Sequence, residues 1–244
     1  LSQIVSFETA LFTAQARDKA AGDLSAKGAS GGPALLTTQP FYIGINDPLG
    51  FNPTGTPPFN PVAFTVYDAW NNLTGADAQT AARQSVARGQ ALFNTLPIII
   101  TGVPGLNDLP GLSTVTGTCT TCHDAPNAGD HSVSQPLNIG VTDYPGPAGL
   151  DIAGLPVYTI HCNTASPPKV IQTTDPGRAM ISGKCADIGK TKGPILRGLT
   201  ARAPYFHNGS GTTLSDVIKF YNQRFNLGLT TQQQADFVAF LQTL

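Results

Sequence analysis

Cys119-Thr120-Thr121-Cys122-His123 constrains this chain more than any other stretch of its sequence. Two thiols separated by two residues, with an imidazole immediately after, form the attachment signature of c-type haem. The spacing has a chemical reason. It lets both sulfurs reach one edge of a porphyrin and add across its vinyl groups, and the next imidazole then lies beneath the iron as proximal ligand. Paired cysteines serve other chemistries too. A zinc site needs two further ligands, and Cys162 and Cys185 are not spaced as a second Cys-x-x-Cys pair. A redox dithiol belongs in a βαβ context, whereas Gly and Thr loops flank this motif. One covalent haem c, held by Cys119 and Cys122 with His123 on the iron, is the expected cofactor.

Covalent haem is attached outside the cytoplasm, so a periplasmic or exported location is expected. No signal peptide is visible. The sequence starts at Leu1 without a Met, which suits a leader already removed. In that oxidising compartment Cys162 and Cys185 are expected to pair as a disulfide, with haem ligation by either as the alternative.

Among the 244 residues only 12% are charged, against about 25% in an average domain, while 41% are hydrophobic, enough for a core. Such a balance argues against disorder. The 26 glycines and 20 prolines point to many turns and long irregular connections. A net charge of −1 with no basic stripe makes nucleic acid an unsuitable partner. The longest apolar run, Leu96-Pro97-Ile98-Ile99-Ile100, is far short of the roughly 20 residues that span a bilayer.

Helical periodicity marks Ser2 to about Lys19, about Ala76 to Asn94, about Leu214 to Phe225, and Gln232 to Leu244. Thr213 with Asp216, and Thr230 with Gln233, fit capping boxes at the starts of the last two. In the second helix Ala82, Val86, Gly89 and Phe93 share a face. Gly89 leaves a flat spot where Phe237 or Phe240 of the last helix can pack closely, although generic helix packing explains it equally. Gly22 to Phe64 reads as an ordered but irregular wrap. Thr101–Thr118 and Asp124–Lys192 read as loop-rich. The expected architecture is mostly α: a cytochrome c-like haem domain over residues 80–244 with long irregular loops, preceded by an N-terminal helix and loop-rich extension over 1–79.

Beyond the haem motif, three stretches occur in order: Asp175-Pro176-Gly177-Arg178, Gly193-Pro194-Ile195-Leu196-Arg197-Gly198-Leu199 and Ala203-Pro204-Tyr205-Phe206-His207-Asn208-Gly209-Ser210. The run Leu214–Asn222 follows them. Together with the haem motif they resemble the C-terminal haem domain of bacterial di-haem cytochrome c peroxidases and their MauG relatives, over roughly residues 80–244. The resemblance places a second axial ligand fourteen residues after the histidine of Pro-Tyr-Phe-His, which is Tyr221 here. Leu214, Val217, Ile218 and Tyr221 form one helical stripe, so the tyrosine faces inward. A core tyrosine bonded to something other than iron is the alternative. Met180, the only methionine, is the rival ligand, or else a gap-filling core residue. The resemblance puts His207 near the haem without ligating it. Arg178 and Arg197 are candidates for the propionates, or ordinary loop anchors. His131 and His161 lack motif context, and Trp70 reads as core.

The sequence departs from those di-haem enzymes in carrying one haem motif. Residues 1–79 contain neither Cys nor His. A haem closed by His123 and Tyr221 offers no vacant position at rest. The resemblance with these departures implies a periplasmic mono-haem cytochrome that passes single electrons to and from a redox protein or a small molecule. A peroxide-dependent oxidoreductase and a haem-based sensor are the alternatives.

Overall fold

A computed structural model describes residues 1–5, 14–36, 38–50, 52–163 and 167–244. Three helices longer than two turns organise it: α1 (Ala78–Thr95), α2 (Leu214–Arg224) and α3 (Thr231–Leu241). Each begins where a side chain satisfies the free amides of its first turn. Asp77 accepts from the Thr80 amide, Thr213 from Asp216 and Thr230 from Gln233, the last two as full capping boxes. α1 stops at Leu96, whose extended backbone is what a following proline demands.

Among the described residues, strands come as three antiparallel hairpins. β1 (Arg17–Asp18) pairs β2 (Gly22–Asp23), β3 (Ile98–Ile100) pairs β4 (Val115–Gly117), and β5 (Tyr158–Cys162) pairs β6 (Lys169–Thr173). The expectation of a mostly α chain therefore holds only loosely. About 30% of the residues are helical and 11% are strand. Turn-forming residues leave the long connections irregular, and short ladders, rather than helices, tie them down. The helix expected from Ser2 to Lys19 is helical at 2–5, but Arg17 and Asp18 belong to β1. Phe7 and Leu11 lie outside the described residues. The expected pairing of Cys162 with Cys185 is present, fastening the end of β5 to the turn at 185–187.

The main core draws on both parts of the chain. Phe64, Tyr67 and Trp70 from the N-terminal segment pack with Phe93 of α1 and Phe237 and Phe240 of α3. Phe64 meets Phe93 and Phe240 edge-on at centroid distances of 5.3 and 5.2 Å, and Tyr67 stacks on Trp70 at 4.7 Å. The indole of Trp70 donates to the Ala26 carbonyl at 2.8 Å, so the wrap is bonded to the core it covers.

α1 and α3 cross at Gly89. A β-carbon there would stand 2.0 Å from the Asp236 carbonyl oxygen and 2.7 Å from the Phe240 β-carbon. Only the absence of a side chain permits this approach. The crossing is fastened by Asp236, which is buried and accepts from Ser85 at 2.6 Å and from Arg88 at 2.9 Å.

Candidate functional site

The haem motif sits on one tight turn. The Cys122 and His123 amides both donate to the Cys119 carbonyl, at 3.2 and 3.0 Å, and the Thr118 amide donates to the Thr121 hydroxyl at 2.9 Å. This closed turn places both thiols and the imidazole on the wall of one cavity of about 430 Å³. The rest of that wall is mostly apolar. It includes Phe93, Ile98, Ile100, Val103, Leu137 and Leu196, with Leu214, Val217, Ile218, Tyr221 and Phe225 from α2 and its end, and Phe237 and Leu241 from α3. Helix α2 thus turns its whole predicted stripe toward the cavity.

Burial pushes both thiols up to about 12, and the charge of Cys122 adds to this for Cys119, as that of Asp124 does for Cys122. Burial also lowers the pKa of His123, outweighing a hydrogen bond to the Gly129 carbonyl. That bond measures 2.7 Å from Nδ1. A carbonyl only accepts, so Nδ1 carries the proton and Nε2 keeps its lone pair. The next residue, Asp124, accepts from the Ser132 amide at 2.8 Å and holds the loop that returns Gly129 to the ring.

Tyr221 reaches the same cavity. Burial raises its pKa, and the neighbouring Cys122 and Cys119 raise it further, so the phenol stays neutral. Its ring contacts Phe206, Phe220 and Phe225, and its hydroxyl has no hydrogen-bond partner among the described residues. Phe206 is held at φ +68°, a left-handed conformation costly for a bulky residue. The loop around it is closed by mutual backbone bonds between Tyr205 and Gly211.

The cavity brings together Cys119, Cys122, His123, His207 and Tyr221, and leaves out the other sequence candidates. Met180 is 74% exposed and borders a separate surface pocket with Tyr158 and Asp175. Arg178 is half-exposed and pairs with Asp187 at 3.4 Å. Arg197 is wholly buried, its Nε donating to the Asn127 carbonyl at 2.7 Å, and it is not on the cavity wall. Lys192 and Arg202 line the cavity instead and had no signal in the sequence beyond closeness to the family stretches. Lys192 is bonded to Asp130 at 2.7 Å and Arg202 to the Ile195 carbonyl at 2.8 Å. No Asp or Glu lines the cavity among the described residues, which suits a cofactor that brings carboxylates of its own.

These residues fit a c-type haem: two thiols on one turn, a free imidazole nitrogen beside them, and an apolar chamber. The zinc alternative has no support, since no group of three or more potential metal ligands gathers among the described residues.

Comparison with known proteins agrees with this chemistry. Residues 192–227 match the RoxA-like, cytochrome c-like family. A cytochrome-c peroxidase, IdrP2, of Denitromonas iodatirespirans is 36% identical over 140 residues, covering 52% of this chain and 36% of that protein. A second, IdrP1, of Pseudomonas sp. (strain SCT) is 26% identical over 184 residues, covering 68% of this chain and 41% of that protein. Over about half of its length the chain is thus similar to proteins named cytochrome-c peroxidases. That similarity and the attachment motif together imply a haem c cofactor. The chain spans little more than a third of the length of the peroxidases it matches. A solved MauG-like protein associated with microbial copper homeostasis aligns with a TM-score of 0.41 at 23% identity, over 66% of this chain and 43% of that one. No described helix is long and apolar enough to cross a membrane.

Proposed function

We propose that this chain is an exported mono-haem c-type cytochrome of the di-haem peroxidase/MauG superfamily that passes single electrons between a redox partner and its haem. Haem c supplies a one-electron ferric/ferrous couple. The chain's own part is to hold and tune that group. Cys119 and Cys122 anchor it through thioethers, and the Nε2 of His123 is the proximal ligand, oriented by the Gly129 carbonyl. Tyr221 is the distal ligand. A phenol in so apolar a setting would release its proton to solvent only where a cation such as ferric iron would hold the resulting phenolate.

One observation carries the reading. An imidazole nitrogen left free and a phenol without a hydrogen-bond partner face the same cavity as the two thiols. Absorption and paramagnetic-resonance spectra of the ferric protein test it. Tyr221→Phe is expected to convert a low-spin, closed signature into a high-spin one. An unchanged spectrum in that variant overturns tyrosine ligation.

A second reading, a peroxide-dependent haem oxidoreductase, is favoured by the cytochrome-c peroxidase names of the relatives. Stoichiometric reaction with peroxide followed by turnover of a reductant distinguishes it from simple electron transfer. Carbon monoxide binding without turnover points instead to a sensor.

A further inference from the structure

His207 and Asp175 form an imidazole–carboxylate pair that electron transfer through a closed haem does not require. The two come from separate parts of the chain. Asp175 follows β6, and its backbone is fixed by the Thr173 hydroxyl, which donates to the Asp175 carbonyl at 2.9 Å and accepts from its amide at 3.2 Å. One carboxylate oxygen of Asp175 accepts from the Gly177 amide at 2.8 Å, and the other faces Nδ1 of His207. His207 sits on the loop closed by Tyr205 and Gly211. Asp175 is largely covered, whereas the His207 side chain is 62% exposed and also lines the haem cavity. Since a carboxylate accepts, Nδ1 holds a proton and Nε2 is the position that exchanges one.

We propose that the Asp175–His207 pair is a redox-linked proton site: His207 takes up a proton when the haem gains an electron and returns it to water on oxidation. The inference rests on the haem reading above. Added negative charge at the cavity favours the protonated imidazole, and by reciprocity the protonated imidazole favours the reduced haem. Asp175 fixes the orientation of the ring through Nδ1. Lys192 and Arg202, the cations on the same cavity wall, oppose its protonation, and each is engaged elsewhere by Asp130 or the Ile195 carbonyl. Asn208, Thr174 and Tyr158, the remaining polar residues of the adjoining surface pocket, are uncharged. Exposure gives the proton a direct path to water. No other described group combines a place on the cavity wall, a carboxylate partner and contact with solvent.

Spectroelectrochemical titration of the haem-loaded protein over roughly pH 5 to 8 tests the proposal, because that is the range in which imidazoles exchange protons. The midpoint potential is expected to fall with rising pH across part of the range. In H207Q that slope is lost while the absorption spectrum is retained. In D175N the pH window of the slope differs from the parent's, since the ring has lost the carboxylate that holds Nδ1. A slope that survives H207Q overturns the proposal, as does a potential independent of pH in the parent protein. Should H207Q fail to load haem, D175N decides, and an unmoved window overturns the idea. A preparation with no covalent haem overturns the haem reading and this coupling together, whereas a flat potential in loaded protein sinks the coupling alone.

Discussion

His123 depends on a residue that has no side chain. Gly129 supplies the carbonyl that fixes the imidazole, and it does so at φ +68°, where a β-carbon would stand 2.7 Å from Leu196 and 2.8 Å from Phe64. Gly129→Ala therefore combines a left-handed strain of about 1–2 kcal/mol with a clash against a packed wall. A loss of about 2–4 kcal/mol is expected, visible as a lower denaturant midpoint at constant slope. Legibility at this level followed chemistry. Cys119, Cys122 and His123 announce themselves because thioether formation and ligation need them contiguous, and Tyr221 was placed by the inward stripe of a capped helix together with the family resemblance. Met180, Arg178 and Arg197 lie off the cavity wall because irregular loops decide where they go, and nothing in their spacing records that. Asp175 was visible as part of a motif, but its partnership with His207, 32 positions away, is made only by tertiary folding.

The helices were the most readable elements, because 3.6-residue periodicity and capping chemistry are both local. Even the close approach at Gly89 was anticipated from a glycine opposite aromatic residues. The hairpins were not. β5 reads Tyr-Thr-Ile-His-Cys, with no clean division into apolar and polar faces, and it is secured by a disulfide and a partner strand rather than by a buried face. Gly89→Ala tests the crossing of α1 and α3. Helix propensity alone favours alanine by about 1 kcal/mol. The overlap with the Asp236 backbone is severe enough to reverse that sign, and a net destabilisation of about 2–3 kcal/mol is expected from chemical denaturation.

For the molecule as a whole, the N-terminal wrap and the haem-bearing portion share one core. Residues on both sides of the division expected at residue 79 contribute to it. The cavity wall is gathered from Phe93 to Leu241, so the integrity of the long segment between the haem motif and α2 matters to the whole. The Cys162–Cys185 bond constrains that segment across a separation of 23 residues. A loop of this length corresponds to about 3 kcal/mol of stability in the chain-entropy account. Mild reductant should lower the melting temperature yet leave the haem attached, because thioethers resist thiol exchange. A melting temperature indifferent to reductant counts against a structural role for the bond.

The contact between Gly89 and Asp236 also bears on how this protein can diverge. Ser85, Arg88 and Gly89 on one helix and Asp236 on the other act as a single lock, with shape and charge settled together. Exchanging α3 for a homologous helix without recoding these three positions of α1 would leave Ser85 and Arg88 without their carboxylate and the recess at Gly89 facing a different backbone. Chimaeras of this chain with its relatives should accordingly carry both helices from the same parent.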